Sequence, residues 1–164
     1  MKQWLLVVTL VSSALSNLAW ADATLDKNKQ EFNAKTQQFM GALVQSIAKM
    51  DKNFATLSKS ETTLQGYLKN NPTPQERQCI NAMLTRATGT KNLIAGMRQQ
   101  LVSAQKQMPS IKSAALKAKS TTELNQTADK ANALVQGLNT TGDKNSQMAE
   151  KWTATVDKVC ASLQ

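Results

Sequence analysis

Apolar residues recur along this chain in alternating steps of three and four. In the first third they run Met40, Leu43, Ile47, Met50, Phe54, Leu57, Leu64 and Leu68, with Glu61 interrupting. In the second they run Ile80, Met83, Ala87, Thr90, Ile94, Met97, Leu101, Ala104 and Met108. In the last they run Leu124, Ala128, Ala131, Val135, Leu138, Gly142, Asn145, Ala149, Trp152, Val156, Val159 and Leu163. Each series keeps a seven-residue repeat through several cycles, which predicts long helices packed along a coiled-coil-like seam.

The punctuation sets the boundaries. Asn70-Asn71-Pro72-Thr73-Pro74 stops the first helix. Thr73-Pro74-Gln75-Glu76 then reads as a capping box with proline at the first helical position, and Ser120-Thr121-Thr122-Glu123 as a second box. The pattern predicts helices over 25–69, 75–119 and 121–163, the second kinked or broken at Pro109, where a backbone donor is missing. The fold class is all-α: an elongated up-down-up bundle, each helix about 65 Å long.

Two cysteines constrain the topology. Cys79 stands near the start of the second helix and Cys160 near the end of the third. An up-down-up path brings them to one end of the bundle, where a disulfide can form. A plain four-helix bundle, broken at Asn139 to Asp143, would put Cys160 at the opposite end. That is incompatible with the Cα separation of under about 7 Å that a disulfide requires. A bundle broken at both Pro109 and Gly142 keeps the direction right and stays open. The six glycines fall mostly inside helical patterns, where each costs about 1 kcal/mol against alanine. Close helix approach and loose optimisation both account for them.

The N-terminus reads differently from the rest. Lys2 precedes an apolar run from Trp4 to Leu15, and Ala19-Trp20-Ala21 follows. This is the form of a secretory signal peptide cleaved after Ala21, leaving one domain over 22–164. A retained anchor is the competing reading, but the run falls short of the ~20 residues of a membrane span. Export to the periplasm or beyond the cell fits a paired Cys79 and Cys160.

Composition narrows the chemistry. The chain has no histidine, hence neither the usual general base nor the commonest metal ligand. No nucleophile elbow and no phosphate-cradling glycine loop is present. Carboxylates mostly sit beside lysines, as in Asp51-Lys52 and Asp129-Lys130. The expectation is a binding protein rather than an enzyme, without cofactor or metal. The methionines on the seam, such as Met83 and Met97, suit core filling first and an adaptable groove second.

Charge is the most informative feature. Residues 22–76 and 123–164 are each nearly neutral. Residues 77–122 hold eight basic groups and no acidic one: Arg77, Arg86, Lys91, Arg98, Lys106, Lys112, Lys117 and Lys119. Arg77, Lys91, Arg98, Lys112 and Lys119 are spaced by multiples of seven, which predicts a basic stripe along one edge of the middle helix. Internal pairing with Asp51, Glu61, Glu150 or Asp157 competes with outward display, but nearly neutral neighbours cannot cancel all eight charges.

The candidate anion- or lipid-binding set is therefore Arg77, Arg86, Lys91, Arg98, Lys106, Lys112 and Lys119. Anionic lipid head groups, phosphoinositide-like ones included, or another polyanion are the expected partners, and nucleic acid is not expected. If the protein leaves the cell, a host membrane and a role in infection come into range. The alternative is a periplasmic accessory protein, a chaperone or secretion-system adaptor, holding a protein partner in a helical groove. Long heptad helices are also able to self-associate. No motif identifies a family.

Overall fold

The structure is a computed structural model and describes residues 25–161. The signal-peptide reading of residues 1–21 lies outside the described residues. Three helices make up the fold: α1 (Leu25–Leu68), α2 (Pro74–Lys117) and α3 (Thr121–Cys160). α2 packs along both α1 and α3, while those two meet only marginally. The middle helix is thus the shared strut of an up-down-up bundle.

The local sequence explains each boundary. Asn71 takes a left-handed φ of 51° in the α1–α2 turn, a conformation asparagine tolerates better than most residues. The capping box at α2 is complete. The Glu76 N–H donates to Thr73 Oγ1 at 3.3 Å, and the Thr73 N–H donates to Glu76 Oε2 at 2.7 Å. Pro74 occupies the first turn, where its missing N–H costs nothing. The box expected at α3 is only half made. The Glu123 N–H donates to Ser120 Oγ, but the Glu123 carboxylate accepts from the Lys119 N–H, one residue further back.

No helix breaks where the sequence left a choice. α2 continues through Pro109, whose ring lies at an exposed position, and α3 continues through Gly142. Three helices remain, not four or five. The disulfide Cys79–Cys160 forms at the end of the bundle the topology requires, with a Cα separation of 5.0 Å.

Burial is uneven along the long axis. The main core runs from Phe32, Phe39, Leu43 and Met50 of α1, through Ile94 to Ala115 of α2, to Leu124 to Leu138 of α3. Near the cysteines the core shrinks to Cys79, Val156 and Cys160, with Ala82 and Met83 against them. Between these clusters, α1 beyond Met50 and α3 over residues 143–155 have no fully buried side chain. Within this stretch the Trp152 ring lies directly over Gly89, where a Cβ would meet Cη2 at 2.5 Å.

Candidate functional site: a basic helix partly neutralised by its neighbour

The middle position of α2 decides which of its cations reach solvent. Lys91 turns toward α1. Its ammonium sits 2.6 Å from Glu61 and 5.0 Å from the centre of the Phe54 ring. Thr88 donates to the same Glu61 carboxylate at 2.6 Å. Together these bonds lower the Glu61 pKa, the Lys91 hydrogen bond most, then that of Thr88, against a burial cost. One heptad, or about two helical turns, further along, Arg98 grips Asp51 with two nitrogens, at 2.5 and 3.2 Å. The hydrogen bond and charge of Arg98 depress the Asp51 carboxyl, and the hydrogen bond and charge of Asp51 in turn raise the guanidinium's pKa. Two of the five cations in the heptad stripe are therefore neutralised within the bundle.

The remaining candidates fall into two groups. Arg77 is exposed in the first turn of α2, at the disulfide end, and Arg86 is half-buried two turns on. Lys106 and Lys117 are exposed, Lys112 is half-buried, and Lys119 lies in the α2–α3 turn. Lys106 and Lys117 stand eleven residues apart, about three helical turns, so they share one face. The rise between them is about 17 Å. Among the described residues, no carboxylate forms an ion pair with Arg77, Lys106, Lys112, Lys117 or Lys119. The seven-residue line is thus interrupted in its middle, and the outward charge gathers at the end of α2 remote from the disulfide. Lys106 and Lys117 belong with this group, although both fall outside the heptad register that singled out Lys112 and Lys119.

Sequence periodicity missed two concave features. A cleft of about 380 Å³ opens at the disulfide end, lined by Leu64, Tyr67, Asn70, Asn71, Pro72, Glu76, Cys79, Ile80 and Met83. A shallower groove of about 340 Å³ lies between α2 and α3, around Gln100, Ala104, Leu134 and Thr141. The half-exposed Ile80 and Met83, the first seam residues after the α1–α2 turn, were the only sign of the first cleft. Among the described residues, no group of three or more His, Cys, Asp or Glu is placed to hold a metal ion. No described helix is long and apolar enough to cross a membrane. The disulfide is compatible with an oxidising, exported location.

Comparison of the chain with protein-family models, with curated proteins and with solved structures finds no match.

Proposed function

We propose that this chain is an exported, non-enzymatic binding protein whose middle helix engages an anionic surface, with phosphorylated lipid head groups as the leading candidate. One observation carries the reading. Asp51 and Glu61 of α1 are taken by Arg98 and Lys91. Among the described residues no carboxylate forms an ion pair with Lys106, Lys112, Lys117 or Lys119, which lie over the last turns of α2 and the turn after it. Each such cation near an anionic bilayer contributes about 1 kcal/mol, so a group of four supports reversible binding. Export follows from the charged, apolar and small-residue sequence of residues 1–21. The Cys79–Cys160 bond is in keeping with it. A host membrane, and with it a role in infection, is the extension of this reading should the protein leave the cell.

The test is co-sedimentation with vesicles containing phosphatidylinositol phosphates, at low and high salt, of the wild-type protein and a Lys106→Glu, Lys112→Glu, Lys117→Glu variant. Binding is expected for the wild type, weakened by salt through screening and abolished in the variant. Helical content and melting temperature should not change, because these residues form no ion pair with a carboxylate of the bundle. Unchanged binding by the variant overturns the reading. The exposed apolar residues Val44, Phe54, Leu116 and Met148, and the α2–α3 groove, favour a second one: an accessory protein holding a protein partner. A pull-down insensitive to salt would favour that alternative.

A further inference from the structure

α2 carries a second pattern besides its buried seam. Three apolar residues stand at seven-residue spacing on its outer side: Val102, Pro109 and Leu116. Each follows a buried residue, Leu101, Met108 or Ala115, by one position, and that step of about 100° turns it out of the core. Val102 is half-buried, Pro109 is exposed, and Leu116 is 44% exposed. The line spans about 21 Å of the helix. It stops towards the disulfide end. Ala95, seven residues before Val102, offers only a methyl group, and Thr88, seven further back, is bonded to Glu61 of α1.

Lysines edge this line on both sides. Lys112 falls three residues after Pro109 and four before Leu116, and Lys106 four after Val102 and three before Pro109. Residues at those spacings are neighbours on a helix surface. Lys119 follows Leu116 by three, in the turn after the helix. Among the described residues, no carboxylate forms an ion pair with Lys106, Lys112, Lys117 or Lys119, and residues 102–119 contain no Asp or Glu. Other exposed large apolar residues, Val44, Phe54, Tyr67 and Met148, lie on α1 and α3, whereas Leu116 is set among the lysines. A polyanion in solution would use the charges and gain nothing from an apolar line between them. A bilayer uses both, because its phosphates take the ammonium groups and the acyl boundary beneath takes the apolar side chains. Lysine suits such an edge: its aliphatic stem lies along apolar surface while its head stays in water.

We infer that the outer face of α2 from Val102 to Leu116 enters the head-group region of an anionic bilayer, with Pro109 and Leu116 inserted and the four lysines on the phosphates. The inference rests on the reading of the lysine group as a membrane contact and deepens it. The partner is the bilayer itself, not its head group free in solution. α2 lies along the membrane surface with its core side turned away.

The test compares vesicles containing phosphatidylinositol phosphates with soluble inositol trisphosphate, in wild-type, Leu116→Gln and Leu116→Trp protein. Leu116→Gln keeps a good helix former at an exposed position, so its melting temperature should match the wild type. Its vesicle affinity should fall about fivefold, the loss expected when part of one leucine side chain is no longer buried. Leu116→Trp should tighten vesicle binding, because tryptophan favours the membrane interface. Affinity for soluble inositol trisphosphate should be weaker than for vesicles and equal in all three proteins. Vesicle affinity equal in the wild type and both Leu116 variants overturns the inference and leaves the charge-based membrane reading standing. Inositol trisphosphate bound as tightly as vesicles overturns it as well. An absence of vesicle binding by the wild type overturns both and leaves the protein-partner alternative.

Discussion

Single residues show how far identity in the sequence falls short of role in the fold. The glycines are alike as letters. Yet a Cβ on Gly41, Gly66, Gly96 or Gly137 would meet nothing within 4 Å, whereas one on Gly89 would run into the Trp152 ring. Four of these five are loosely optimised helix positions and one is a close approach. Alanine at Gly41, Gly66, Gly96 or Gly137 should therefore raise stability by up to about 1 kcal/mol each. Gly89→Ala should lower it by about 1–3 kcal/mol, the range for overpacking a close contact, less whatever helix propensity returns. Urea denaturation gives both signs. Trp152 is the only tryptophan after residue 20, so in protein without the N-terminal segment its emission reports whether the ring is pushed into water. The sequence offered close approach and slack as equal readings because the partner of Gly89 lies 63 residues away, at a level set by the topology.

At the scale of elements, the second seam from Ala87 to Met108 and the third from Leu124 to Gly142 were legible residue by residue. Further along the third, Asn145, Ala149 and Trp152 are not fully buried, and Leu163 lies outside the described residues. Ala87, Thr90, Ile94, Met97, Leu101, Ala104 and Met108 are all buried, as their spacing requires. The first seam was legible only in part. Asn28, Thr36 and Ser46 share it with Phe32, Phe39 and Leu43, and a search for apolar letters passes over them. Phe54, placed on that seam by its spacing, is instead 38% exposed and serves Lys91 as a ring to rest on. The basic stripe was legible as a charge excess but not as a surface, because pairing depends on which carboxylates α1 presents. Those pairs carry a pH dependence. Asp51 and Glu61 have folded pKa values below their unfolded ones, so their contribution is fully present above the unfolded values. It is lost as pH falls through the folded values, below roughly pH 4. The urea midpoint should fall on acidification through that window. The fall should be shallower in Asp51→Asn, Glu61→Gln protein, and an unchanged pH profile in that variant would show that other carboxylates govern it.

For the whole molecule, the distribution of burial gives the disulfide its meaning. The main core occupies the half of the bundle away from the cysteines, and over residues 51–68 and 143–155 the outer helices carry no fully buried side chain. The end of α3 is held to α2 by the Trp152–Gly89 contact, by Val156 and by the bond itself. Closing 81 residues of chain restricts the unfolded state by about 4.5 kcal/mol in the chain-entropy treatment. Replacing both cysteines, as Cys79→Ser with Cys160→Ser, should cost an amount of that order in global stability. The loss should also be local. Protection against hydrogen exchange should fall first over the start of α2 and residues 143–160 of α3, while residues 94–115 and 124–138 keep theirs, because stability follows buried contact density. A uniform rise in exchange along all three helices would mean that the bundle opens as one unit and that the thin end is no weaker than the thick one.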